Sequence, residues 1–190
     1  QHLVQKMYDR FIPVYQQAGI RKIILEVIST NLPAIKSYTS TGFHKTRSIH
    51  SFKGNVDTHK TAAGISIKEN AAPDWAVLSG FMDMTPTWSN SVSSIQREAS
   101  FTITWEAILE GHTAGYISVH KDTRRVRSIA VAPRFRRKGI GSALLQHAAN
   151  TLKGALSIIN IDEHFPEIDK FLQQAGLERY LTQYEMELIM

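Results

Sequence analysis

Gly139 and Gly141 stand two residues apart, directly behind the cations Arg136, Arg137 and Lys138. They open a stretch in which Ile140, Leu144, Leu145, Ala148, Ala149 and Leu152 recur at helical spacing. Ahead of them Pro133 closes the branched run Ser128 to Ala132, since proline cannot donate into a sheet ladder. The order is strand, basic loop, helix start. The first turn of a helix leaves backbone N–H groups without partners and carries a partial positive charge. Glycine at that point lets the main chain close on an anion. With full charges beside those amides, the chemistry that suits the segment is the binding of a pyrophosphate rather than a lone carboxylate. It is not a nucleotide P-loop, because no Gly-Lys-Ser/Thr follows at the required spacing, and it lacks the third glycine of a dinucleotide fingerprint.

Charge converges on the same place. The 190-residue chain carries +5, yet the window Lys121–Lys138 holds eight basic residues and one acid, Asp122, for +7, so the remainder nets −2. A solvated surface, a cradle for a phosphorylated small molecule and a nucleic-acid footprint all fit such a run. Cysteine is absent, which excludes disulfides, thiolate zinc sites, iron–sulfur clusters and a thiol nucleophile. Hydrophobic residues make up 43%, enough with 11 glycines for a packed core. No apolar run approaches the roughly 18 residues of a membrane helix, and no signal-peptide pattern opens the chain, so a soluble cytoplasmic protein is expected.

The elements that must position the loop follow from periodicity. Phe101 to Leu109 alternates apolar and polar residues, and turns at Glu110-Gly111 and Asp122-Thr123 lead into Ala114–Lys121 and Arg124–Ala132, an antiparallel meander. Before it lie a short strand at Ile65–Lys68, a helix through Trp75, Leu78, Phe81 and Met82, and a further helix opened by Pro86 and running towards Glu98. After the loop the spacing predicts a helix stopped at Lys153-Gly154 and a strand over Ala155–Ile161. A helix starting near Pro166 then runs to Gly176, and an extended piece follows from Tyr180 to Ile189.

The first 55 residues repeat that last plan. Leu3, Val4, Met7, Tyr8, Phe11, Tyr15 and Ala18 share a helical face that Pro13 should kink or interrupt. Ile23–Ile28 reads as a buried strand, Asn31 caps a helix with Pro33 in its first turn, and Phe43–Lys53 is extended. Leu3 matches Leu144, Pro33 matches Pro166 and Gly42 matches Gly176, at offsets of 141, 133 and 134. The polar stretch from Gly54 to Gly64 reads as a linker.

The segment Arg136 to Gly141 resembles the acetyl-coenzyme A loop of the GCN5-related N-acetyltransferases, Gln/Arg-x-x-Gly-x-Gly/Ala, filled by Arg136, Gly139 and Gly141. A meander before it and helix–strand–helix–strand after it is that family's order. The resemblance implies an α/β acyltransferase fold: one complete domain at 65–190, a linker at 56–64, and at 1–55 the C-terminal half of a first copy. Asn31, Ala34, Tyr38 and Gly42-Phe43 match the family's Asn-x-x-Ala…Tyr…Gly-Phe there. Gln1 corresponds to Ser142, so a tandem acetyltransferase whose first half-domain is missing is expected. The resemblance further implies that main chain at Ile129 and Val131 aligns the pantetheine arm. Backbone amides of Arg136, Arg137, Lys138, Gly139, Ile140, Gly141 and Ser142 hold the pyrophosphate of acetyl-CoA. A splayed gap between the fourth and fifth strands admits the thioester and a small-molecule or peptide amine.

No acid or base stands out. Tyr38 fits the family's acid but sits in the copy without a loop, and its counterpart in the complete domain is Phe171 or Leu172. Glu106 could reach a cleft or be a solvated strand glutamate. Tyr180 and Tyr184 could supply the acid or simply pack, and a reaction through water with proximity supplying the rate also fits. The 8 histidines show no paired metal spacing, and His164 stands where Asn31 caps the first copy. Trp75, Trp88 and Trp105 read as core, with Trp88 alternatively walling a pocket. The sequence thus points to an acetyl-CoA-dependent N-acetyltransferase working by direct attack in a ternary complex. Its rivals are a degenerate CoA-binding regulatory half and, last, a nucleic-acid binder, since only Phe135 interleaves the charges. The strands of residues 1–55 need edge partners, from 65–190, from a second copy or from a segment ahead of residue 1.

Overall fold

Apolar residues at helical spacing open the chain as α1 (Leu3–Gln17), which runs on through Pro13. The expected interruption does not occur. Pro13 and Asp9, whose carbonyl loses its helical partner to the proline, both lie on the exposed side. The computed structural model describes residues 3–58 and 63–190, leaving aside the side chains of Leu3 and Val4. Residues 59–62 of the expected linker, Gln1, and those two members of the α1 stripe therefore lie outside the described residues.

The chain forms two compact units, residues 1–50 with 181–190, and residues 51–180. In the first, β1 (Lys22–Ile28) and α2 (Leu32–Ser40) lead into β2 (His44–Gly54), which continues into the second unit. The cap at Asn31 is as expected, its Oδ1 accepting the Ala34 N–H at 3.2 Å. β8 (Glu178–Ile189) returns and pairs antiparallel with β1, from Lys22↔Ile189 to Ile28↔Gln183, so β1 finds its partner within this chain. The strand order here is β1-β8-β2. Only Val27 of β1 is buried, a correction to the buried strand expected there: an edge strand turns one face outward, and Ile24 and Ile28 lie on it. Val27, Phe43, Met186 and Leu188 form this unit's core, with Tyr8 and Tyr38 set edge-on against Phe43.

In the second unit β3 (Ser66–Glu69), β4 (Thr102–Leu109), β5 (His112–His120) and β6 (Arg125–Val131) run antiparallel in sequence. β7 (Leu156–Asp162) lies parallel to β6, giving the order β2-β7-β6-β5-β4-β3. Between β3 and β4 come α3 (Trp75–Leu78), a 3₁₀ turn at Trp88–Asn90 and α4 (Val92–Arg97). Pro86 does not open a helix as expected. Ser91 does, its hydroxyl accepting the Ser94 N–H at 3.3 Å. α5 (Ile140–Leu152) follows β6, and α6 (Pro166–Gln174) follows β7. Leu144, Leu145 and Ala148 of α5 are fully buried with Ile117, Val119 and Leu156, the stripe the periodicity marked.

Candidate functional site

The site begins with one extra residue. β5 and β6 pair Ser118 with Ser128 but Val119 with Val126, so Arg127 has no residue opposite and forms a bulge. Bulges bend the strand that carries them. β6 pairs with β7 only at Arg125↔Ser157 and Val126↔Ile158, and past that point the two strands part. Asn160, with a left-handed φ of 66°, breaks the regularity of β7 on the other side. A cavity of about 610 Å³ lies along the splay.

Its far wall is the loop and the first turn of α5. Ile129, Val131, Arg136 and Arg137 line the cavity, as do Gly139, Ile140, Gly141 and Ser142. Of the expected residues only Lys138 stands apart, its ammonium 5.4 Å from the Phe135 ring centroid. Arg137 (φ 63°) and Gly139 (φ 82°) are both left-handed, and Gly139 caps α5 without a side-chain hydrogen bond. The leading amides of the helix thus reach the cavity wall with no side chain capping them. A Cβ on Gly141 would come within 3.0 Å of the Phe171 ring, so the first turn and α6 leave a narrow slot that a larger residue would fill.

Arg136 has a different job from the one its charge suggests. Its Nε donates to the Val131 carbonyl at 3.0 Å, and Nη2 to the Phe81 carbonyl at 3.2 Å and the Asp83 carboxylate at 3.0 Å. It braces the loop against residues 81–83. Its own N–H goes to Pro133 O at 3.3 Å and is thereby engaged within the loop. Thr58, in the stretch that reads as linker, lines the cavity and places its hydroxyl 3.2 Å from Gln146 Oε1 on α5.

Arg127, one of the eight clustered cations, is buried. It donates one charged hydrogen bond to Glu98 and another, at 2.6 Å, to the Ser89 carbonyl. The guanidinium's hydrogen bond holds the Glu98 carboxyl below its ordinary value against a smaller opposing desolvation. On the next position Ser128 lines the cavity, with its Oγ 2.7 Å from the Tyr116 hydroxyl. Burial pushes the Tyr116 phenol up, only partly offset by that hydrogen bond. Neither pair was visible in sequence, because each joins residues on separate elements.

The other candidates divide between the cavity lining and places away from it. Phe171 and Leu172 line the cavity at the place of the expected tyrosine. Glu106 accepts hydrogen bonds from Asn70 (2.7 Å) and Thr113 (3.2 Å) and does not line it. Tyr184 packs in the first unit's core under Lys45, and Tyr180 is exposed. Trp105 is buried as expected, whereas Trp75 is half-buried edge-on to Tyr116 and Trp88 is 64% exposed, away from core and cavity alike. His164 does not take over the cap. Phe165 occupies that position, while His164 donates its N–H to Asp162 Oδ1 at 3.0 Å.

Comparison with solved structures gives the same fold. A GCN5-related N-acetyltransferase from Sphaerobacter thermophilus superposes with a TM-score of 0.68 at 14% identity, covering 97% of this chain and 66% of that one. One from Kribbella flavida gives 0.73 at 15%, covering 97% and 74%. A tandem GNAT protein from the clavulanic acid biosynthesis pathway gives 0.70 at 14%, covering 97% and 69%. At these identities the likeness carries the fold alone, and this chain spans about two thirds of the Sphaerobacter protein's length. None of the curated proteins matches in sequence. Residues 69–180, more than half of the chain, match the family described as Acetyltransferase (GNAT) family, and they contain the meander, the splay and the loop. The chain belongs to that family.

Proposed function

We propose that the protein is an acetyl-CoA-dependent N-acetyltransferase that moves an acetyl group to a primary amine by direct attack within a ternary complex. The observation that carries this reading is the coincidence of two features at one cavity: β6 parted from β7, and an uncapped helix N-terminus at its end. Amides from Arg137 to Ser142 would hold a pyrophosphate, and the Arg137 side chain would supply a full charge. The narrow slot at Gly141 suits a chain-like ligand, and main chain at Ile129 and Val131 would run beside it. The thioester supplies the activated acetyl group. The protein supplies orientation, and holding two reactants in one cavity accounts for much of such a rate.

We further read residues 1–55 as the C-terminal half of a first copy, 56–64 as a linker and 65–190 as the complete domain. The recurrence of elements supports this: helix, strand, helix, strand of 15, 7, 9 and 11 residues in α1 to β2, against 13, 7, 9 and 12 in α5 to β8. The acceptor is a small-molecule or peptide amine. Nucleic acid is disfavoured, because Arg127 and Arg136 of the basic window are engaged by Glu98 and Asp83. Among the described residues no helix is long and apolar enough to cross a membrane.

Calorimetric titration of acetyl-CoA, with 3′-dephospho-CoA as comparison, tests the reading. Micromolar binding at one site per chain, abolished in Gly141→Trp, is the expected result, followed by thioester cleavage with a panel of amines. Absence of binding by the wild-type chain overturns it. A second reading, a CoA-binding domain without turnover, is favoured by Phe171 and Leu172 at the tyrosine position. Binding without cleavage across the panel would select it.

A further inference from the structure

The face of the sheet under α3 carries two hydroxyl pairs. Thr104 and Ser118 meet at 2.8 Å, are both buried and satisfy each other away from the cavity. Ser128, opposite Ser118 in register, differs. It lines the cavity, and its hydroxyl has a phenol on one side and a sulfur on the other, Tyr116 Oη at 2.7 Å and Met82 Sδ at 3.9 Å. A phenol is the better donor of the two hydroxyls, so the consistent arrangement has Tyr116 donating to Ser128 and the Ser128 proton turned to sulfur. Among the described residues neither has a carboxylate or imidazole hydrogen-bond partner that would draw the proton elsewhere. Ser128 is therefore a neutral O–H donor, fixed by a buried phenol and aimed at a soft acceptor within the splay.

We propose that Ser128, oriented by Tyr116, donates a hydrogen bond to the departing sulfur during acetyl transfer and thereby does part of the work of the tyrosine absent at Phe171. The proposal rests on the acetyltransferase reading above. In the step, the amine nitrogen bonds to the carbonyl carbon, the carbon–sulfur bond breaks and its electron pair goes to sulfur. The amine's proton passes to water, and the thiolate, of pKa about 8.5, takes its proton from water. Ser128 and Tyr116 keep theirs throughout. Tyr116, out of reach of the cavity, is a positioning residue; Ser128 is the one that touches the reacting atoms. A donor that strengthens only as charge develops lowers the barrier without tightening ground-state binding.

The experiment pairs steady-state kinetics with calorimetry on the full chain. Ser128→Ala is expected to bind acetyl-CoA within twofold of wild type while kcat falls about tenfold to a hundredfold. Ser128→Thr restores most of the rate. Tyr116→Phe loses less, and its kcat–pH profile keeps the wild-type alkaline limb, because the phenol, whose ionisation burial pushes up, gives no proton in the step. A Ser128→Ala variant with wild-type kcat overturns the proposal, as does one whose loss is wholly in acetyl-CoA affinity. An alkaline limb that moves in Tyr116→Phe overturns it too, by making the phenol an acid. If the wild-type chain neither binds nor cleaves acetyl-CoA, the acetyltransferase reading fails first, a result distinct from any variant effect, and the pair is then structural. Matching thermal unfolding midpoints of the variants exclude misfolding as the cause.

Discussion

Arg127 holds its guanidinium among groups 29 and 38 residues away, Glu98 and the Ser89 carbonyl, and so ties the segment before β4 to the bulge that opens the site. A guanidinium without these partners would sit buried and uncompensated, which is costly. Glu98 is about half exposed, so part of the attraction is screened. Its carboxyl is held below the ordinary 4.5, so the pair's stabilisation is complete above that value and disappears as the pH falls through the lowered one. Glu98→Gln is expected to flatten the acid limb of the stability–pH curve below about pH 4.5 and, with solvent screening at the half-exposed carboxylate, to cost about 1 kcal/mol or less at neutral pH. Urea unfolding at pH 3 and pH 7 checks it: an unchanged difference between the two would show that Glu98 does not carry this linkage. At this scale the sequence misleads in an instructive way. Arg127 and Arg136 read as members of a basic surface, and nothing near them in the chain reveals that Glu98 and Asp83, the latter 53 residues distant, engage them. Gly139, by contrast, acts through local backbone geometry, its φ of 82° standing at the start of α5, and local geometry is what residue type records.

Among the elements, strong periodicity was legible and brief order was not. The α5 stripe, the meander and the Asn31-capped α2 stand where their spacing puts them, because each packs a face whose period the sequence carries. The segment from Pro86 to Glu98 has no full period. Its order comes from Ser91 as a cap, from the Ser94 hydroxyl donating to the Trp88 carbonyl at 2.8 Å, and from Arg127. The end of β2 is a second case. Gly54 reads as the start of a linker and Gly176 as a helix stop, yet they interlock: a Cβ on Gly54 would stand 2.4 Å from the Gly176 carbonyl oxygen, and one on Gly176 2.6 Å from Asn55 O. Backbone atoms cannot swing aside as side chains do. Gly54→Ala is therefore expected to cost about 3 kcal/mol or more, within the range of severe single substitutions. Gly80→Ala meets nothing within 4 Å and has no left-handed φ, so it should be neutral or stabilising by about 0.4–1 kcal/mol. Equal unfolding midpoints for the two variants in urea would contradict the close approach.

The molecule as a whole holds two apolar clusters, one around Phe43 and Leu188, the other around Leu144, Leu145 and Leu156. The repeat of helix and strand was legible because glycines and prolines recur in register. That β8 would share a unit with residues 1–50 was not, since pairing partners are a property of the fold and not of either segment. Every residue lining the site belongs to the second unit. A ligand stabilises the conformations that bind it, by about 2.7 kcal/mol at a hundredfold excess over Kd. Regions that open separately do not all share in that gain. Hydrogen exchange with saturating acetyl-CoA should therefore slow amides of β6, α5 and α6 by up to about a hundredfold, as that energy implies. Amides of α1 and α2, whose side chains pack in the other cluster, should exchange at unchanged rates. Slowing of equal size in α1 and α2 would mean that the two clusters open as one cooperative body. Slowing confined to α1 and α2 would place the ligand outside the cavity between β6 and β7.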